Sequence, residues 1–366
     1  MEPAQQETFD KTYGTEPMKM MGAMGVLGLL CLCFACAVIC GRDSLQRAID
    51  VIDASADYIA HNKRVILVPN VHFLFTFIFT IVWLGAFLCV ISLNEISADE
   101  LVPQSRNLKW EDKKVFYASL FMFFGFLWIT AWIEYTSRFI VIVGAATYYF
   151  NNHRDKQDEE ASADIMYGFK CAYLHHMGSI AFGAFIIALI RFVKIIFYYL
   201  AKQAEKSSGE NAGVKAAVAC AKCLLECIEK ICDYMNESAF CYMAVTGDHF
   251  LLAAWNGFLL NLKHGLKFAF ANMIAKVFIF IGKVGIVVAN LFTLYLLMKQ
   301  RGDLDVDKVN PIGPMVAVGI VTFLAASLFL SLFEEAVQSL LTCLCIDMDV
   351  NGEPVYGPAT FHDNYV

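Results

Sequence analysis

An acid and a base interrupt one of the most apolar stretches of the chain. Residues 125–150 read GFLWITAWIEYTSRFIVIVGAATYYF, in which Glu134 and Arg138 are the only charged residues. An acid four residues before a base is the favoured order for an ion pair along a helix. Beside them, four rings spaced four, three and four residues apart share one helical face: Trp128, Trp132, Tyr135 and Phe139. The two charges therefore either neutralise each other or take part in binding a charged substrate next to the rings.

The composition is that of a membrane protein built from helices. Of the 366 residues, 58% are hydrophobic and only 17% are charged, whereas a soluble domain carries about 25% charged residues. Apolar runs of about 20 residues, the length that crosses a bilayer as a helix, recur along the chain. The sequence lacks the alternation that is typical of a membrane β-barrel. We therefore predict an all-α, polytopic helical membrane protein in contact with the lipid bilayer.

The apolar runs divide the chain into a polar N-terminal tail at 1–20, a transmembrane helical domain at 21–345 and a C-terminal tail at 346–366. Seven spans are predicted, near 21–40, 73–93, 115–150, 178–200, 216–246, 268–297 and 311–333. The fifth span is the weakest prediction, because it contains the charged residues Lys222, Glu226, Glu229 and Lys230.

An amphipathic helix is expected between the first two spans. Its apolar face is formed by residues that recur at steps of four and three: Leu45, Ile49, Ile52, Ala56 and Ile59. This pattern is typical of a helix that lies in the membrane interface. A soluble connecting helix packed on a neighbouring element is the alternative interpretation.

The charged and reactive residues disfavour several classes of function. Basic residues form no long run, so nucleic acid is not an expected partner. His175 and His176 stand without a zinc motif, and the cysteines at 220, 223 and 227 have no second pair. We therefore expect no metal site and no cofactor. The phosphate loop, nucleophile elbow and zinc constellation of common enzymes are also absent from the sequence, so the chain is not expected to be an enzyme.

Five stretches in one order carry a resemblance to a known family. They are VIVGAATYYF, YLHHMGSIAFGAF, CIEKICDYMNESAF, FIGKVGIVV and LFEEAVQSLLTCLCIDMDVNGEP. Together they resemble the choline transporter-like family of solute carriers. The matching positions include the His-x-Gly-Ser segment around His176 and the Gly-Lys pair at Gly282 and Lys283. Each motif is short, and the specificity comes from finding all five in the same order.

The resemblance implies membrane transport of choline or a related amine such as ethanolamine. It also implies a multi-pass protein of the plasma membrane, with an organelle membrane as the alternative. Family members generally have about ten spans and a large extracellular loop after the first. This chain resembles a member without its first three spans and that loop. Three interpretations stay open: a divergent short form, an incomplete gene product, or a half for which a partner protein or a homo-oligomer supplies the missing spans.

Orientation in the membrane receives two opposed indications. The resemblance implies an external N-terminus and a cytoplasmic C-terminus, and we adopt that orientation. The count of lysine and arginine residues in the loops mildly favours the reverse.

A choline-like substrate would need a site for a quaternary ammonium ion, which cannot donate a hydrogen bond. Aromatic faces attract such an ion. Given the resemblance, we predict that Trp128, Trp132 and Tyr135 bind the substrate and that Glu134 is its counter-charge. The alternatives are ordinary helix packing by the rings and a structural ion pair between Glu134 and Arg138.

A second set of charged residues is predicted to form a gating ion pair. Lys283 lies in the middle of the apolar segment FIFIGKVGIVV, a depth at which charged residues usually face the bundle interior. Its expected partner is Glu229, with Glu334 and Glu335 as alternatives, and Arg138 belongs to the same predicted set. A purely structural ion pair is the competing interpretation.

Two functions from different classes follow from these observations. The first is a carrier for choline or a related amine. The second is a transport-inactive structural or interaction subunit of the same family.

Overall fold

The structure, a computed structural model, describes residues 42–93, 96–98, 106–108, 113–152, 162–207, 212–300, 312–358 and 361–362. The described helices are α1 (Arg42–His61), α2 (Leu67–Ile91), α3 (Lys113–Asn151), α4 (Ile165–Lys170), α5 (Met177–Ser207), α6 (Ala212–Thr246), α7 (Phe250–Gln300) and α8 (Ile312–Asn351). A 3₁₀ turn, Lys63–Ile66, precedes α2, and a π-helical turn, Cys171–His175, joins α4 to α5.

The predicted all-α architecture is confirmed. Besides the helices, the described residues contain two strands of three residues each, β1 (Ile96–Ala98) and β2 (Arg106–Leu108), which pair in antiparallel fashion. They connect α2 to α3 and form no sheet beyond this ladder within the described part of the chain. The secondary structure of the described residues is therefore almost entirely helical.

Five described segments are long and apolar enough to cross a membrane, judged by length and composition. They are Lys63–Ile91, Lys113–Asn151, Met177–Ala204, Asn272–Lys299 and Ile312–Asn351. Each overlaps one of the spans predicted from the sequence. The predicted span at 216–246 falls on α6, a continuous helix outside this set of five. The predicted span at 21–40 lies outside the described residues, and the domain limits stay predictions.

The amphipathic helix is present as α1, but the buried face differs from the predicted one. Val51, Ala54 and Tyr58 are fully or almost fully buried, whereas Ile49 and Ala56 of the predicted face are exposed. The hydroxyl of Tyr58 donates to the carbonyl oxygen of Val141 in α3 at 3.1 Å. Burial raises the pKa of Tyr58 well above its ordinary value, so this hydroxyl stays protonated and able to donate. Packing on α3, which periodicity alone does not reveal, selects the buried face.

The core of the described residues gathers around the second half of α3. Phe139, Ile140 and Tyr149 are completely buried there, against side chains of α5, α6 and α8. The hydroxyl of Ser339 in α8 donates to the carbonyl oxygen of Ile142 at 3.2 Å, so α8 approaches the α3 backbone closely. This half of α3 is therefore a rigid reference for the residues of the candidate site.

Asp164 caps the N-terminus of the short helix α4. The side chain of Asp164 accepts a hydrogen bond from the backbone amide of Tyr167 at 2.8 Å, which satisfies one of the free donors at a helix start. The helix then passes through the π-helical turn into α5. Such turns are uncommon, and this one ends with a hydrogen bond of 2.9 Å from the His176 amide to the Cys171 carbonyl oxygen.

Close contact between α6 and α7 depends on Gly257. A Cβ atom at this position would lie 2.9 Å from the carbonyl oxygen of Ser238. The same region is held by a hydrogen bond of 2.6 Å from the Asn261 amide to the Ser238 hydroxyl. The glycine therefore permits a backbone approach that a larger residue would prevent.

We expect Gly257→Ala to lower the free energy of unfolding by about 1–3 kcal/mol, the usual cost of overpacking. Gly285→Ala, in the same helix, is the matched control, because its Cβ would meet no atom within 4 Å. The control should be neutral or stabilising by up to about 1 kcal/mol, since alanine favours a helix over glycine. Thermal unfolding of the purified chain in detergent measures both variants, and equal midpoints would contradict this account of the α6–α7 contact.

Candidate functional site

Two tryptophans of α3 wall a cavity of about 460 Å³ against the start of α5. We call this cavity the tryptophan pocket; it is lined by Trp128, Ile129, Trp132, Met177, Gly178 and Ala181. The small residues of α5 leave the space that the indole rings border. The pocket is predominantly apolar, and part of its wall is open, since the Trp128 residue is 37% exposed.

The ring of Trp128 is held in place from two sides. Its indole N–H donates to the carbonyl oxygen of Ala181 in α5 at 3.0 Å. Phe185, one turn further along α5, meets the ring edge to face with 5.4 Å between centroids. A ring fixed in this way presents a defined face to the pocket, which reduces the ordering cost when a ligand binds.

The predicted aromatic stripe is divided between two environments. Trp128 and Trp132 line the pocket, whereas Tyr135 is buried and its hydroxyl donates to the Asp233 carboxylate of α6 at 3.0 Å. Phe139 is fully buried against Phe240 and His176. Two of the three predicted substrate-binding rings therefore line the pocket, whereas Tyr135 lies in the interface between α3 and α6.

Arg138 joins three helices through carboxylates. Its guanidinium lies 2.8 Å from Glu134 in α3, 3.5 Å from Glu237 in α6 and 3.2 Å from Glu335 in α8. It also lies over the ring of Tyr135, 5.6 Å from the centroid. The Glu335 side chain is only 9% exposed, so Arg138 neutralises a carboxylate that has left water almost completely. We call Arg138 with these three glutamates the arginine junction.

A second cation borders the arginine junction without balancing its charge. Lys276 of α7 lies 3.3 Å from Glu334, the residue before Glu335 in α8. Arg138 and Lys276 thus face four carboxylates, which leaves a formal charge of −2 on this group of side chains. Surplus negative charge in a poorly solvated region attracts a cation more strongly than the same charge in water.

The predicted pairing of Glu229 with Lys283 does not occur in this structure. Glu229 lies 2.5 Å from Lys194 and 3.5 Å from Arg191, both in α5. Within the described part of the chain, Lys283 takes part in none of the ion pairs. Glu229 is instead bound by the two α5 bases. The α7 cation that reaches Glu334 in α8 is Lys276, which lies two turns or about 10 Å before Lys283. The gating role assigned to Lys283, Arg138 and Glu229 stays a prediction.

Four acids of α6 form a set of contacts that was not predicted from the sequence. These residues recur at steps of three and four and therefore share one helical face: Glu226, Glu229, Asp233 and Glu237. In the structure Glu226 accepts from the Tyr198 hydroxyl at 2.8 Å, and Asp233 lies 3.8 Å from Arg191. The bases Arg191 and Lys194, three residues apart in α5, were the complementary signal. Glu226 and Glu229, two of the charges that weakened the fifth predicted span, attach α6 to α5. Asp233 and Glu237 attach it to α3.

Removing Arg138 tests whether the arginine junction stabilises the fold. Taking one partner from a buried ion pair costs about 3–5 kcal/mol. Because the Arg138 side chain is 29% exposed, we expect Arg138→Met to lower the free energy of unfolding by about 2–3 kcal/mol, below that range. Lys283→Met removes an α7 cation that forms no ion pair within the described part of the chain, and should cost less than about 1 kcal/mol. Chemical unfolding of both variants in detergent gives the comparison, and equal losses would refute the assignment of Arg138 as the stabilising charge.

Comparison with known proteins provides an independent finding. Residues 25–349 match a protein family described as plasma-membrane choline transporter. The chain is 25% identical over 332 residues to choline transporter-like protein 2 of Dictyostelium discoideum, an alignment that covers 90% of this chain and 51% of that protein. It is 29% identical over 231 residues to choline transporter-like protein 1 of Rattus norvegicus, covering 63% of this chain and 34% of that protein.

The match includes most of the chain, which spans about half the length of the first of these relatives and a third of the second. Together with the apolar helices, it identifies a multi-pass membrane protein. The resemblance predicted from five short motifs is confirmed: this chain belongs to the choline transporter-like family.

Proposed function

We propose that this chain takes part in the transport of choline, or of a related amine such as ethanolamine, across a membrane. The proposal depends on one observation above all. Two indole rings, Trp128 and Trp132, border an open-walled cavity in a helix bundle, the first of them fixed by Ala181 and Phe185, and the same helix carries the arginine junction. Membership of a family whose relatives are named choline transporter-like proteins supports the substrate class.

The chemistry of the tryptophan pocket suits a quaternary ammonium ion. Such an ion has methyl groups around its charge and offers no N–H donor, so it forms no N–H···O hydrogen bond with carbonyl or carboxylate oxygens. Indole faces attract it through their quadrupole, by about 0.5–2 kcal/mol for each ring according to desolvation. The cavity of about 460 Å³ is also in the usual range for small-ligand sites, about 300–1,000 Å³.

The arginine junction supplies the electrostatic part of the proposal. Arg138 follows Trp132 by six residues in α3, which places the junction about 9 Å further along the helix. At that distance the surplus negative charge acts on the pocket through a poorly solvated interior, where screening by salt is weak. Glu134, which is paired with Arg138 and is 45% exposed, is the junction carboxylate closest to Trp132 in sequence. We assign it the role of counter-charge when the amine enters.

Uptake of radiolabelled choline into proteoliposomes that contain this chain alone tests the proposal. We expect saturable uptake, with a half-saturation concentration about 2- to 30-fold higher for Trp132→Ala, the loss that corresponds to one cation–π contact. Glu134→Gln should weaken uptake in the same direction, because it removes one negative charge beside the pocket. Trp255→Ala is the matched control, since that indole lies exposed on α7 outside the tryptophan pocket.

The result also separates the two functions considered from the sequence. Saturable uptake that responds to Trp132→Ala and not to Trp255→Ala supports a carrier with its site in the tryptophan pocket. Uptake equal to that of empty vesicles would favour a transport-inactive subunit. Equal impairment by both tryptophan variants would show that the pocket has no special part in transport.

A further inference from the structure

The residues after α8 fold back and bind the end of that helix. Asp347, which is 1% exposed, receives four hydrogen bonds. Its Oδ2 accepts from the Tyr149 hydroxyl at 3.1 Å and from the backbone amides of Val355 and Tyr356 at 2.9 Å each. Its Oδ1 accepts from the Asn351 amide at 2.7 Å. One buried carboxylate thus joins α8, the returning chain and the last turns of α3.

A glycine in the returning chain completes the connection to α3. The amide of Gly357 donates to the carbonyl oxygens of Asn152 and Tyr149, at 2.8 and 3.1 Å. Its φ of +97° favours glycine, and a Cβ atom there would lie 2.5 Å from the Tyr149 ring. The free carbonyl groups at the end of α3 are therefore satisfied by a backbone that only glycine can bring so close.

Two further residues hold the returning chain in this position. The ring nitrogens of His362 lie 3.2 Å from the carbonyl oxygens of Pro354 and Gly357. Phe361 is completely buried, with its ring 6.2 Å from that of Tyr149. We define the C-terminal clasp as Tyr149, Asp347, Asn351, the segment 353–358 and residues 361–362.

The C-terminal clasp connects the two helices that carry the arginine junction. Arg138 belongs to α3 and Glu335 to α8, and both lie about eleven to twelve residues before their clasp residues, Tyr149 and Asp347. The contacts that hold α3 to α8 at the clasp combine these hydrogen bonds with the buried rings of Tyr149 and Phe361. Water can replace the hydrogen bonds when they open, so their net contribution is smaller than their number suggests. Release of the clasp therefore concerns the ends of the two helices, beyond the buried core around the arginine junction.

We propose that the C-terminal clasp closes one end of the bundle, and that its release loosens the ends of α3 and α8 beyond the arginine junction so that the amine can pass. The second half of this statement depends on the proposed function. In this structure the clasp end is sealed by buried side chains, whereas the wall of the tryptophan pocket is open. A carrier must open its two ends in turn, and the clasp is the set of contacts that the sealed end must break.

Native cysteines allow opening to be measured without reference to transport. Cys343 and Cys345 are buried in α8, within one turn or so of Asp347, and both are free thiols. Cys171, a buried free thiol in the π-helical turn, lies outside the clasp and reports general unfolding. We would treat the full chain in proteoliposomes with N-ethylmaleimide and measure alkylation of each cysteine by peptide mass spectrometry, with and without choline.

The decisive variants are Gly357→Ala and Gly352→Ala. Both glycines have positive φ, but only a Cβ atom at Gly357 meets Tyr149, and one at Gly352 meets nothing within 4 Å. We expect Gly357→Ala to raise alkylation of Cys343 and Cys345 at least about fivefold over Gly352→Ala, with Cys171 still protected. Asp347→Asn, a milder change that removes the charge, should give a smaller rise in the same two thiols.

The outcomes separate the clasp from the proposed function. Equal alkylation of Cys343 and Cys345 in the two glycine variants overturns the clasp as a closure. If alkylation rises in Gly357→Ala but this variant takes up choline as the wild type does, opening of the clasp is not a step in transport. If choline raises alkylation in the wild type, both parts are supported. If no variant transports choline while Gly357→Ala still opens, the closure stands and the transport function fails.

Discussion

The ion pair between Arg138 and Glu335 is the interaction on which the arrangement of the helices depends. A carboxylate with so little exposure, in a helix otherwise apolar enough to cross a bilayer, requires a cation and donors in fixed positions. Arg138 meets this need and also binds Glu134 and Glu237, so α3, α6 and α8 must keep their rotation and depth relative to one another. The acids of α6 extend the same constraint to Arg191 and Lys194 of α5.

One helix, α3, carries three sets of contacts in order along its length. Trp128 and Trp132 border the tryptophan pocket, Tyr135 binds Asp233 and lies beneath the Arg138 guanidinium, and Tyr149 ends the series at the C-terminal clasp. The pocket, the arginine junction and the clasp therefore share one continuous helix.

Much of the architecture could be predicted from sequence because it depends on local properties. Hydropathy placed spans that five described helices now cover, and helical spacing correctly paired Glu134 with Arg138. The predicted apolar face of α1 did not identify the residues that contact with α3 buries, which are Val51, Ala54 and Tyr58. The common face of the acids in α6 was also not predicted, because Glu226 and Glu229 were considered as a weakness of a span or as a partner for Lys283, and not together with Asp233 and Glu237.

The sequence by itself determined that this protein is a helical membrane protein of the choline transporter-like family, with rings and opposite charges on one long helix. Length, apolarity and short ordered motifs are properties of neighbouring residues, so they need no knowledge of the fold. Only the tertiary structure decided that Tyr135 donates to Asp233 and does not line the pocket. It also decided that Arg138 binds Glu335 in addition to Glu134, and that Glu229 binds Lys194 of α5 and not Lys283. These choices depend on the rotation and depth of helices far apart in sequence, since an ion pair forms only where both side chains reach the same point.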